Sequence, residues 1–170
     1  KKNLKQIDII LTNPPFSGDH TKMEILSQYD LAFKGDPSKN KIQNKQTKPV
    51  MFIEKCHKIL KPGGRCCIVL PQGILNNLND DYIREYIDNK FRILAIVGLE
   101  VNTFKPYTTP KTSLLFLQKW KGEKLENYKI FTAVSKKSGK DKRGKNVFVG
   151  QKMIKGFKVV DESKEIKEND

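Results

Sequence analysis

Ile7-Asp8-Ile9-Ile10-Leu11-Thr12-Asn13-Pro14-Pro15-Phe16 is the stretch whose reading settles the fold. Its apolar run, Ile7 to Leu11, is short, β-branched and cut off by two prolines, the pattern of a buried parallel strand emptying into a rigid loop. Pro14 cannot donate to a sheet ladder and fixes its own φ, and it pushes Asn13 towards extended backbone. Asn13 therefore stands at the carboxyl end of a strand, where open α/β sheets place their ligands. Taken alone, the same four residues also suit a stiff turn with no chemistry, so the surrounding chain has to decide.

Downstream, Pro49 to Leu60 has helical spacing. Val50, Ile53, His57 and Leu60 make one stripe with Phe52, Cys56 and Ile59 beside it; Pro49 suits the first turn and Pro62-Gly63-Gly64 the stop. Arg65 to Leu70 reads as a second buried strand, Cys66-Cys67-Ile68-Val69-Leu70, ended by Pro71, and strand, loop, helix, strand is a right-handed crossover between parallel strands. Gly63-Gly64 ends a helix instead of opening one, which argues against a phosphate cradle. Gln72 to Asn79 forms a second loop at the same sheet edge as Asn13. A helix then runs to about Asn89, with Asn79, Asp80 and Asp81 as cap and first-turn acids and Tyr82, Ile83, Tyr86 and Ile87 as its packing face. Phe91 to Leu99 and Thr112 to Trp120 are strands joined by a polar loop, Glu100 to Lys111, with no helix between them, which predicts an antiparallel pair. Ser17 to Lys48 has no sustained period beyond a short turn around Met23 to Phe33 and reads as a mobile excursion; His20 within it reads as a solvated loop histidine.

The 170 residues suit one domain with one core. The 33 basic residues against 19 acidic ones give a net charge of +14, which favours a polyanionic partner, a nucleic acid first, although a lysine-rich proteome produces the same excess. The first residue is Lys, no apolar stretch approaches a membrane span and no leader pattern is present, so the chain reads as a piece of a longer cytoplasmic protein. Cys56, Cys66 and Cys67 are odd in number, lack metal-ligand spacing and sit in apolar segments, as reduced core residues do. Between Lys136 and Lys145 the chain is basic and interrupted by glycine, either a solvated loop or one that contacts phosphates. Tyr128 to Val134 and Val147 to Val149 are expected to flank it as hairpin strands, and Asp161 to Asp170 to form a frayed tail.

Asn13-Pro14-Pro15-Phe16 resembles the catalytic loop of the S-adenosylmethionine-dependent amino-methyltransferases, whose signature is Asn or Asp, two prolines and an aromatic residue. Leu60-Lys61-Pro62-Gly63-Gly64 before a strand is typical of the same fold. The segment from Leu99 through Asn102, Phe104, Pro106, Thr109 and Lys111-Thr112-Ser113 to Lys119 resembles the modification subunits of type I restriction systems, as does Gly139-Lys140-Asp141-Lys142-Arg143-Gly144. The likeness runs from about Ile7 to Val149. It implies an α/β fold, the later half of a Rossmann-like methyltransferase sheet with parallel strands, an antiparallel closing strand and a small β-hairpin extension. On that scheme residues 1–120 are a partial catalytic domain, 121–160 a basic hairpin-like extension and 161–170 a disordered tail.

The function implied is methylation of the exocyclic amino group of adenine in DNA within a restriction-modification system. Asn13 and the carbonyl of Pro14 would accept the two amino hydrogens, Pro15 would stiffen the loop and Phe16 would stack on a base swung out of the helix. Phe104 would pack beside that base or serve as a hydrophobic plug. Lys105, Lys111, Lys136, Lys137, Lys140, Lys142 and Arg143 would meet the DNA backbone. The cofactor implied is S-adenosylmethionine; the partners are DNA, a specificity subunit and a restriction subunit, with no membrane. The family pattern fails upstream, because only twelve residues precede Asn13 and no later segment offers a strand followed by a Gly-x-Gly turn opening a helix. The cofactor pocket is therefore expected mostly outside this chain, with Asn13 its one contributor here, the isolated chain inactive, and the edge of the first strand open to a second copy. Two other classes remain open: an RNA or protein-glutamine methyltransferase fragment, and a noncatalytic DNA-binding or assembly module.

Overall fold

The apolar run forms strand β1 (Ile7–Thr12) and pairs in parallel with β4 (Leu60–Pro71), joined through helix α2 (Lys48–Ile59) as the crossover reading expects. These assignments come from a computed structural model that describes residues 6–34 and 41–147, together with the backbone of 151–154 and 157–160. β6 (Thr112–Lys119) lies between β4 and β5 (Phe91–Gly98), antiparallel to both, and β7 (Phe131–Val134) closes the far edge parallel to β5. The sheet order is β1-β4-β6-β5-β7, one strand more than the pattern reading counted. β7 lies within the Tyr128 to Val134 segment expected to flank a basic hairpin. It pairs with β5 instead, because the outer edge of β5 offers a ladder to an apolar, β-prone tetrapeptide. Of the other expected flank, residues 148 and 149 lie outside the described residues, as does the 161–170 tail. Apart from this sheet, β8 (Gln151–Ile154) pairs antiparallel with β9 (Phe157–Val160).

The chain divides into two units. One runs through Gly98 and resumes over Thr112–Val134; the other holds Leu99–Lys111 and the residues from Ser135 onward. In the first, α2 and α4 (Asp81–Lys90) cover one face of the sheet. Val50, Ile53 and Cys56 of α2 and Ile83 and Ile87 of α4 pack on Ile10, Cys66, Ile68, Leu70, Phe91, Leu115 and Leu117, all buried. The opposite face carries a register row, Leu11, Cys67, Phe116, Ala95 and Phe131, one residue from each strand. Its two ends are open: Leu11 is 79% and Phe131 65% exposed.

α2 ends at Ile59, before Pro62 can act as a stop. Lys119 reaches across to donate to the carbonyls of His57 (2.8 Å) and Leu60 (2.9 Å), placing a cation on the negative end of the helix. Burial lowers the pKa of that amine below the ordinary lysine value. β1 and β4 pair at Ile7 and Leu60 and again at Ile9 and Arg65, so Lys61-Pro62-Gly63-Gly64 loops out of the ladder. At Gly64 a Cβ would sit 2.9 Å from the Lys61 carbonyl oxygen and 3.0 Å from that of Asp8, so the close approach of two backbones requires glycine there.

Candidate active site

β1 stops at Thr12, and the next four residues alternate in exposure: Asn13 exposed, Pro14 buried, Pro15 exposed, Phe16 half-buried. The buried proline ties the loop to the body of the unit and the exposed amide stands in front of it, at the carboxyl ends of two parallel strands. β4 delivers a second loop to the same end. There α3 (Gly73–Asn76) and a 3₁₀ turn at Leu78–Asp80 are braced by Arg84, whose guanidinium donates to the carbonyls of Ile74 (3.3 Å) and Asn77 (2.7 Å).

Residues 35–40 of the excursion after Phe16 lie outside the described residues; the rest carries short elements anchored by polar groups. Gly18, at φ +95°, turns the chain so that its carbonyl accepts the Lys48 N–H (3.0 Å), and β2 (Asp19–His20) pairs antiparallel with β3 (Gln46–Thr47). After α1 (Met23–Leu26), a 3₁₀ turn at Asp30–Ala32 meets Glu54 of α2, which is fully buried. The two carboxylate oxygens of Glu54 accept the N–H groups of Asp30 (3.0 Å) and Leu31 (2.9 Å), and the Lys58 amine pairs with it at 2.6 Å. Gln46, also buried, donates to the Leu31 carbonyl and to the Tyr82 hydroxyl (3.0 Å). Glu54 and Gln46 are the positioning residues that sequence reasoning missed. The available signal was a carboxylate on the buried stripe of α2, four residues after Val50 and four before Lys58.

In the second unit, Lys105, Lys140, Lys142 and Arg143 come together. Residues 139–147 form a tight turn closed by the Lys140–Asn146 bridge and by the Val147 N–H on the Gly139 carbonyl (2.8 Å). The Asp141 carboxylate accepts the N–H groups of Lys145 and Arg143, each at 2.8 Å; these bonds, that of Lys145 foremost, hold its pKa below the ordinary carboxylate value. The Lys105 amine donates to the Lys142 carbonyl (3.1 Å) and the Lys140 amine to the Lys105 carbonyl (2.7 Å), so two of the expected phosphate-binding lysines brace the Glu100–Lys111 loop. Lys111, Lys136, Lys137, Lys142 and Arg143 are exposed, and Phe104 is half-buried in the same loop.

A mixed sheet whose parallel strands deliver an Asn-Pro-Pro-Phe loop to their carboxyl ends, with one antiparallel strand set at its centre, defines a methyltransferase-type α/β domain. The N-6 DNA methylase family model matches residues 1–169, and the chain belongs to that family. The type I restriction enzyme EcoEI methylase subunit of Escherichia coli is 31% identical over 116 residues, 68% of this chain and 21% of that relative. The type I restriction-modification methyltransferase subunit of Streptococcus thermophilus superposes with a TM-score of 0.59 at 25% identity, over 84% of this chain and 28% of that one. A chain from a type I restriction-modification assembly does so with a TM-score of 0.54 at 27% identity, over 68% and 22%. This chain thus spans between 21% and 28% of these relatives.

Proposed function

We propose that this chain supplies the base-handling part of an S-adenosylmethionine-dependent methyltransferase that modifies the exocyclic amino group of adenine in DNA, within a type I restriction-modification system. The observation that carries this reading is the exposed Asn13 amide standing on a buried proline at the carboxyl end of β1. The adenine amino group is a weak nucleophile because its lone pair is conjugated into the ring. Asn13 Oδ1 and the Pro14 carbonyl oxygen accept its two N–H bonds and draw the lone pair out of conjugation, which needs fixed acceptors and no strong base. Phe16 stacks on the base once it leaves the helix, and Pro15 holds the loop rigid. The exposed cations Lys111, Lys136, Lys137, Lys142 and Arg143, on a surface braced by Lys105 and Lys140, meet the DNA backbone.

S-adenosylmethionine supplies an electrophilic methyl group. Among the described residues no glycine turn joins a parallel strand to a helix of two or more turns; α2 and α4 are preceded by Thr47 and Asp80. The described residues therefore do not build a cofactor cradle, and the reading assigns this chain only the acceptor side of the reaction. A specificity subunit, a restriction subunit and a cytoplasmic setting belong to the same proposal.

The test supplies this chain with the rest of a type I methylase subunit, taken from the E. coli relative, and follows methyl transfer to duplex DNA. Asn13→Ala is expected to lower kcat by about 100-fold or more while DNA affinity holds. Equal transfer by wild type and variant, or none by either despite equal DNA binding, would replace the enzyme reading with that of a DNA-binding module.

A further inference from the structure

Tyr107 is 90% exposed, a large ring held out in water on the Glu100–Lys111 loop. That loop is fixed. The N–H groups of Tyr107 (3.1 Å) and Thr108 (3.2 Å) both donate to the Phe104 carbonyl, and Glu100 accepts the N–H of Asn102 (2.7 Å). Gly144 of the basic turn lies so close beneath that a Cβ there would come within 2.5 Å of the Pro106 nitrogen. The Lys140 amine stands 5.9 Å from the centre of the tyrosine ring. On the same turn Lys142, Arg143 and Lys145 are exposed, and the Asp141 carboxylate accepts the backbone N–H groups of Arg143 and Lys145.

One rigid element therefore presents an aromatic face beside three cations. The cations suit the phosphates of any nucleic acid. The ring face is more selective, because bases in a duplex are stacked on one another and only an unpaired base has a free face to offer. One tyrosine also supplies too little apolar area to hold a lipid surface without a longer amphipathic segment.

We propose that Tyr107 and the turn of residues 139–147 form a binding surface for unpaired nucleotides, the ring stacking on one base while Lys142, Arg143 and Lys145 take the flanking phosphates. The inference rests on the nucleic-acid reading above but not on the chemistry at Asn13, and its test involves no methyl transfer. Fluorescence anisotropy would compare one oligodeoxynucleotide, single-stranded and as a duplex, on the full 170-residue chain. Tyr107→Ala is expected to weaken single-strand binding about tenfold, Tyr107→Phe to restore it, and duplex affinity to change by less than about twofold. Replacing both Lys142 and Arg143 by Ala should weaken both substrates and flatten the salt dependence of duplex binding by about two units of slope. Single-strand affinity unaltered by Tyr107→Ala, or an equal loss on both substrates, overturns the stacking role. Binding to phosphatidylserine vesicles that Tyr107→Ala abolishes overturns the choice of ligand.

Discussion

His57 sits on the buried stripe of α2, edge-on to Tyr86 (6.2 Å between ring centres) and Phe91 (5.3 Å). Burial first, then the charges of Lys119 and Lys90, lowers its pKa from 6.5 to about 4. Folding therefore favours the neutral ring. Its contribution to stability is complete above pH 6.5 and is lost as pH falls towards 4. Urea titrations at successive pH values are expected to show that decline in the wild type and a flatter profile in His57→Gln. Glu54 gives a second prediction. In Glu54→Gln one of the two acceptors for the Asp30 and Leu31 N–H groups becomes a donor facing a donor, at a cost of about 2 kcal/mol. Amide exchange at Asp30 and Leu31 should rise more than exchange in β4, and equal protection in both proteins would refute the anchoring role. His57 was legible as a stripe residue from its spacing; Glu54 was not, because a charged side chain on an apolar face is discounted until its partners are seen.

Among elements, the strands and long helices announced themselves through period and punctuation. β1, α2, β4, α4, β5 and β6 lie within a residue or two of where alternation, stripe and proline placed them, apart from the amino end of β4, which starts at Leu60. The connections did not, since their order comes from side chains of other elements: Gln46 on Leu31, Arg84 on Asn77, and Lys119 on His57. Asn13 shows the same division. Its place after the strand was readable, whereas the buried Pro14 beneath it emerges only from packing. The basic turn is the clearest case of long-range order, because Gly144 at φ +83° admits the Pro106 backbone at a distance no side chain allows. Gly144→Ala should separate turn from loop. Limited proteolysis is expected to cut faster between Gly139 and Val147 while the melting of the sheet is unaltered; cutting at the wild-type rate would show that the contact does not hold the turn.

For the molecule as a whole, the uneven dressing of the sheet matters most. α2 and α4 cover one face, while β1, an edge strand, leaves Ile9 68% and Leu11 79% exposed. Such an edge invites pairing with a second copy. Replacing both Ile9 and Leu11 by Lys is expected to lower self-association in sedimentation runs while shifting stability by less than about 0.5 kcal/mol, since neither side chain is buried. Sedimentation unaltered by the pair of lysines would move the contact elsewhere. The row from Leu11 to Phe131 also bears on the fate of newly made chains. Quality-control machinery recognises greasy patches left in water, so copies with the row uncovered are expected to be captured and cleared faster than copies in which it is sheltered.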